Sequence, residues 1–332
     1  RGHEASVDAI AFSPDATTLA SFGNDSRITL WDFASGRQLD TFTNSKFSRY
    51  TFSFSPNGSH LAIPTKHNTI LIQELSPWRT VAELKGHDGA IQDLHFSPDG
   101  TTLVSAGFDS TAHLWNISNV SSPGPLEGHR APVYTLQFSP DGKWIASGGL
   151  DKSESLRLWN SATGSVISKF GAISQHQTVA FSPDNKRLAS GGASNGIRIW
   201  SLDDFSSQLE IGKDVTHNVE GLRFTRDGSA LVSADGEGLR LWDSSTGNLI
   251  KRTNHPKGLF SLHYFNNDRG LAGGDGSGSV TIWNGRSLRK KKELKGHTQP
   301  VINIAVSPDG KTIYSAGLDG KVLKWDTNQE TS

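Results

Sequence analysis

Serine, histidine and aspartate recur together along this chain at fixed separations. His3, Ser21 and Asp25 form one set, His87, Ser105 and Asp109 a second, and His297, Ser315 and Asp319 a third. In each, the histidine precedes the serine by 18 residues and the aspartate by 22. Brought together in space, a serine hydroxyl, an imidazole to take its proton and a carboxylate to orient that imidazole are the parts of an acyl-transfer centre. Each set, however, also carries a tryptophan ten residues after its serine: Trp31, Trp115 and Trp325. A hydrolase needs one nucleophile, not three. Repetition points instead to a structural unit whose buried polar groups satisfy one another, with no catalytic residue among them.

Other chemistries find less support. The chain has no cysteine, so disulfides, thiolate metal sites and cysteine nucleophiles are excluded. Methionine is absent too, which selection against oxidation or engineering would each produce. The 12 histidines are spread by repeat and not clustered at ligand spacing, with His217 and His255 isolated, so no metal or other cofactor is expected. The glycine-rich stretch from Gly273 to Gly278 occurs once and reads as a turn, since calcium-binding repeats of that kind need stacked copies. No glycine cluster opens a helix, which argues against a phosphate cradle. Lys+Arg and Asp+Glu both total 33, giving a net charge of zero. Capture of nucleic acid or an acidic membrane by bulk charge is therefore not expected. The basic run Arg286, Arg289, Lys290, Lys291 and Lys292 reads as a solvated edge strand whose lysines discourage pairing. Its functional alternative is contact with an acidic partner, nucleic acid or a nuclear import receptor.

The elements that would position these residues repeat as well. Phe-Ser-Pro-Asp begins at Phe12, Phe96, Phe138 and Phe181, with variants at Phe54, Phe224, Phe265 and Val306, in steps of 41 to 43 residues. Tryptophans ending an alternating apolar run keep the same period at Trp31, Trp115, Trp159, Trp200, Trp242, Trp283 and Trp325, and Gln73 stands where the missing one would fall. Eight repeats result, with no room for a second domain. Repeat 3 is typical. Residues 91–96 alternate, Ser97-Pro98-Asp99-Gly100 turns, residues 101–106 form a second strand and residues 111–115 a third. A fourth strand lies between each Trp and the next repeat. The fold class is all-β.

Gly-His pairs at Gly2-His3, Gly86-His87, Gly128-His129 and Gly296-His297, together with Trp-Asp at Trp31-Asp32, Trp242-Asp243 and Trp325-Asp326, give the chain its resemblance. It resembles the WD40-repeat β-propellers. The resemblance implies a closed propeller of eight four-stranded blades, one domain over residues 1–332. It implies that the closing strand of blade 8 comes from upstream of residue 1; otherwise that blade is three-stranded with an open edge. It makes His3, Ser21, Asp25 and Trp31, His87, Ser105, Asp109 and Trp115, and His297, Ser315, Asp319 and Trp325 a hydrogen-bond network within each blade. In repeat 4 an insertion at residues 151–155 lengthens the turn, and repeats 2, 5, 6 and 7 keep only parts of the set.

The same resemblance implies a binding face formed by the loops at one end of the blades. By register Asp8, Arg49, Tyr50, Gln92, Tyr134 and Glu220 lie there, with Phe108, Leu150 and Leu318 in the tight turns. Apolar and aromatic side chains in turns suggest a protein contact. Tyr50, Phe108, Tyr134 and Leu150 belong to adjacent repeats and are expected to be its centre. The function implied is a non-catalytic scaffold binding a protein or peptide partner, without a small-molecule substrate, nucleic acid or membrane. The alternative is a sensor or regulatory module from a larger multidomain protein of signalling NTPase or kinase type. An enzyme with substrate in the channel would need convergent acids, and only Asp8 and Glu220 are acidic among these positions. The family favours a cytoplasmic location; the lack of Cys and Met also fits an extracellular one.

Overall fold

The repeat unit folds because its turns and its alternation agree. A computed structural model describes residues 3–44, 51–121, 124–171, 176–192, 196–212, 215, 217–255, 257–307 and 309–327. Strands fall into eight antiparallel sheets in chain order, each strand pairing with the next. Sheet 1 runs through Val7–Phe12, Thr18–Gly23, Arg27–Asp32 and Gln38–Thr43. Sheet 3 comprises Ile91–Phe96, Thr102–Gly107, Ala112–Asn116 and Pro125–Leu126, and sheet 4 Val133–Phe138, Trp144–Gly149, Leu156–Asn160 and Val166–Phe170. Sheet 2 comprises Ser53–Phe54, His60–Pro64, Ile70–Leu75 and Trp78–Leu84, and sheet 5 His176–Phe181, Arg187–Gly192, Ile197–Ser201 and Ser207–Ile211. Sheet 6 comprises Val219–Phe224, Ala230–Asp235, Gly238–Asp243 and Leu249–Asn254, and sheet 7 Leu259–Phe265, Gly270–Asp275, Ser279–Asn284 and Lys290–Lys295. These seven sheets have four strands each. The eighth, Val301–Val306, Thr312–Gly317 and Val322–Asp326, has three among the described residues. No helix occurs among them.

The first turn of each repeat shows the local logic. In sheet 3 the Ser97 hydroxyl donates to Asp99 at 2.5 Å, and the Thr101 amide donates to the same carboxylate at 3.0 Å. Gly100 closes the turn at a φ of 74°, where a Cβ would be strained. These bonds hold the Asp99 carboxyl below its ordinary pKa, the Ser97 hydroxyl contributing most.

The first strand carries a bulge. In sheet 4, Val133 pairs with Gly149 and Thr135 with Gly148, leaving Tyr134 as the extra residue. Asp8 in sheet 1, Gln92 in sheet 3 and Phe260 in sheet 7 occupy the same place. A bulge frees one side chain from the pleat and re-aims it.

The chain forms two compact units, residues 1–49, 234–241 and 249–332, and residues 50–233 and 242–248. In the second unit, sheets pack face to face in chain order. Trp159 of sheet 4 is buried in one cluster with Val104, Ala106, Leu114 and Leu126 of sheet 3. Trp115 joins Ala62, Ile70 and Ile72 of sheet 2, and Trp200 joins Leu156, Leu158 and Phe170 of sheet 4. Each tryptophan thus caps the sheet before its own. In the first unit, Val7, Ile10 and Leu19 pack with Ala305, Tyr314 and Ala316. Tyr314 Oη donates to the Phe33 carbonyl at 3.2 Å, and burial pushes its pKa up to about 12.

Candidate functional site

The recurring polar residues meet inside their own sheets. His87 Nδ1 lies 2.8 Å from Asp109 Oδ2, its Nε2 lies 2.8 Å from Ser105 Oγ, and Trp115 Nε1 donates to the same hydroxyl at 2.9 Å. In sheet 1 the separations are 3.1 Å for His3 to Asp25, 2.7 Å for His3 to Ser21 and 2.8 Å for Trp31 to Ser21. Sheet 8 gives 2.8 Å for His297 to Asp319, 2.7 Å for His297 to Ser315 and 2.7 Å for Trp325 to Ser315. Sheet 4 has the whole set too: His129 to Asp151 is 2.5 Å, His129 to Ser147 2.7 Å and Trp159 to Ser147 2.8 Å. Its insertion falls after Asp151, so the histidine-to-aspartate separation stays at 22 residues and only the serine-to-tryptophan separation grows, to 12.

Each of these serines is fully buried. A nucleophile must reach a carbonyl carbon, and these hydroxyls already face an imidazole and an indole. What they do is hold the turn. The Asp109 carboxylate also accepts from the Asp88 and Gly89 amides at 2.8 and 3.3 Å, tying the loop before the first strand to the turn after the second. Burial opposes ionisation of Asp109, but hydrogen bonds from His87 and Thr111 outweigh it and hold the carboxyl well below the usual range.

Among the described residues, sheets 5 and 6 show the Trp–Ser bond of the set, at 2.9 Å in both Trp200 to Ser190 and Trp242 to Ser233. Sheet 7 substitutes a different pair. His255 Nε2 lies 2.9 Å from Asp275, and Gly273 stands in the serine's place. His255 is therefore not isolated, contrary to the sequence expectation. The glycine-rich stretch is a turn around Asp275, whose carboxylate accepts from the Ser277 and Ser279 amides at 2.8 and 3.1 Å. Local opening measured by amide hydrogen exchange should be rarer in sheets 1, 3, 4 and 8 than in sheets 2, 5, 6 and 7; equal protection would contradict this ranking.

Asp275 also sets an acid sensitivity. Burial disfavours its charge, yet bonds from His255 and Ser277 prevail and hold the carboxyl down to about 2. Unfolded, it titrates near ~3.9. The native state binds this proton less tightly, so the stabilisation is complete above pH ~4 and vanishes as pH falls toward ~2. Asp275→Asn should cost about 2 kcal/mol at pH 6, and the gap to the wild type should close by about pH 2 in urea unfolding. A gap independent of pH would contradict the assignment.

The predicted face residues are placed unevenly. Phe108 and Tyr134 are 41% and 37% exposed, and their rings meet edge to face with centroids 5.5 Å apart. The Phe108 amide donates to the Ala90 carbonyl at 2.9 Å, and the Leu150 amide to the Pro132 carbonyl at 3.0 Å, so both turns share one end of sheets 3 and 4. Leu150 and Gln92 are half-buried beside them in sequence register. Arg49 and Tyr50 lie outside the described residues. Asp8 and Leu318 belong to the other unit, where Asp8 is half-buried and accepts from the Ser6 hydroxyl at 3.1 Å, and Leu318 is exposed. Sequence reasoning passed over Phe260, half exposed at the bulge of sheet 7, although its register is that of Tyr134. Of the basic run, Lys290, Lys291 and Lys292 lie on the fourth strand of sheet 7, Lys290–Lys295, with Arg286 and Arg289 in the connection before it, and Lys290 bonds to Glu293 at 2.7 Å.

A family model described as WD domain, G-beta repeat matches residues 1–32, 78–116, 121–160, 170–201 and 288–326, more than half of the chain. The chain belongs to the WD40 family. A crystal structure of the computationally designed Ika8 protein superposes with a TM-score of 0.84 at 23% identity, covering 98% of both chains, and this likeness supports the fold alone. The WD40 fold here is an all-β propeller of eight blades, and each sheet described above is one blade. Among curated relatives, "Cell division cycle 20.1, cofactor of APC complex" of Arabidopsis thaliana is 29% identical over 40% of this chain and 31% of its own length. Human "Cilia- and flagella-associated protein 52" is 30% identical over 40% of this chain and 22% of its own. "Anaphase-promoting complex subunit cdh1" of Dictyostelium discoideum is 29% identical over 28% and 13%. The matched region thus spans less than a third of these relatives' lengths.

Proposed function

We propose that this WD40 chain is a non-catalytic interaction module that binds a protein or peptide partner on the loop end of blades 3 and 4. The observation that carries the reading is the Phe108–Tyr134 pair. Two large aromatic rings, one in a tight turn and one on a bulge, stand partly in solvent beside each other. Aromatic side chains of this kind bury a large area at little cost in rotamer entropy, which is why they anchor interfaces. The buried hydroxyls of the Ser–His–Asp sets favour a structural role for them. Two relatives are named as a cofactor and a subunit of the anaphase-promoting complex, which fits a module that works inside assemblies. The balanced charge of the chain favours a protein over nucleic acid or a membrane as partner.

The test is affinity capture from an extract of the source cells. It compares the wild type with a Phe108→Ala, Tyr134→Ala double variant of equal thermal stability. A protein retained by the wild type and lost by the variant supports the reading. Identical sets of retained proteins would remove blades 3 and 4 from consideration and turn attention to the Lys290–Lys295 strand.

A further inference from the structure

Blade 3 contains a buried imidazole that the repeat does not call for. His113, on the strand Ala112–Asn116, pairs in register with Ser105. The same position holds Thr29 in blade 1, Arg157 in blade 4, Arg198 in blade 5, Thr281 in blade 7 and Leu323 in blade 8. No single residue type is required there by the fold. His113 is 5% exposed, and its Nδ1 has no hydrogen-bond partner. Leaving such an atom buried and unpaired is unfavourable. The ring stacks on Trp115 with centroids 5.1 Å apart and lies 4.4 Å from the ring of His87. Its Nδ1–Cε1 edge runs beneath Gly86, the residue before His87, where a Cβ would stand 3.2 and 3.1 Å from those two atoms. One nitrogen of each imidazole and one oxygen of Asp109 lie within 4.8 Å of one another.

We propose that His87, Asp109 and His113 form a binding site for a divalent cation of the Zn²⁺ class. Two imidazole nitrogens and a carboxylate oxygen are a donor set that suits borderline first-row cations, and Zn²⁺ takes such a trio with water as its fourth ligand. Zn–N and Zn–O bonds are about 2.0–2.2 Å, so cation binding requires the three donors to draw in from their present spacing. The buried His113 Nδ1, without a hydrogen-bond partner, is the donor free to take a cation. His87 faces an acceptor-only carboxylate through Nδ1, which assigns its proton there. Coordination at Nδ1 moves that proton to Nε2, which then donates to Ser105 Oγ. No proton is lost from the imidazole, and the bond to Ser105 survives with its direction reversed. Blades 1, 4 and 8 carry the same histidine and aspartate but have Thr29, Arg157 and Leu323 in place of the third donor, so the site belongs to blade 3.

The experiment strips the full chain with chelator and titrates it first with Co²⁺, whose visible bands report coordination geometry, and then with Zn²⁺. The expected result is one Co²⁺ per chain with a visible band that Zn²⁺ abolishes, and binding at least about tenfold weaker in His113→Gln. A packing role alone for His113 would leave no band. The proposal is overturned if the wild type shows no band, or if His113→Gln binds Co²⁺ as tightly as the wild type. Should the variant fail to fold, ¹⁵N shifts of the histidine rings in the wild type decide the matter. Zn²⁺ must move His87 and His113; shifts confined to other histidines overturn the site.

Discussion

Trp159→Ala is expected to destabilise the protein by about 3–5 kcal/mol, the range for removing a fully buried indole. Two effects add. The ring is 0% exposed and fills the space between blades 3 and 4 against Val104, Leu114 and Leu126, so truncation leaves a cavity that neighbouring strands cannot collapse. Its Nε1 also donates to Ser147, which would lose one of its two partners. Trp159→Phe separates the two. It keeps most of the volume and loses the hydrogen bond, and should cost about 1 kcal/mol through the bond, with some further cost for the smaller ring. Urea unfolding followed by circular dichroism measures both. A total stability of roughly 5–15 kcal/mol makes the alanine variant marginal. Equal costs for the two variants would mean that the hydrogen bond, and not the packing between blades, dominates at this position.

Phe108→Ala with Tyr134→Ala should weaken binding of the captured partner by about 2–4 kcal/mol, or roughly 30- to 1,000-fold, with little change in folding stability. Neither ring is part of the buried clusters between the blades. Each loses the other when one is removed, so the single variants should each show a large share of the double variant's effect. Leu150→Ala, half-buried in the neighbouring turn, should have a smaller effect. Calorimetry on the wild type and the four variants measures this. Undiminished affinity in the double variant would exclude the pair as the anchor.

The repeated turns made most of the fold legible in the sequence. Ser97, Asp99 and Gly100 fix the turn locally through bonds spanning only a few residues, so they recur wherever the chain repeats. The blade 4 network was not legible as complete, because the insertion at residues 151–155 lengthens the turn; its two extra residues fall beyond Asp151 and leave the His129 geometry unchanged. The His255–Asp275 pair was not legible either. It uses Nε2 in place of Nδ1 and a separation of 20 residues in place of 22, and the serine that marks the other sets is Gly273. His113 carried no pattern at all. Only the strand register, which sets it against Ser105 beside His87, makes a cluster of residues that the sequence spaces 4 and 22 apart. Tyr134 and Phe260 share a register that the bulge explains, since a single extra residue turns the side chain out of the pleat. The sequence contains that bulge only implicitly.

The most direct measurement is hydrogen exchange on the chain with and without its captured partner bound. Binding on the loop end of blades 3 and 4 predicts new protection in residues 88–93, 106–110 and 130–136, with the buried strand Thr102–Gly107 of blade 3 otherwise unchanged. Protection confined to the Lys290–Lys295 strand, with residues 106–110 and 130–136 exchanging as before, would contradict it.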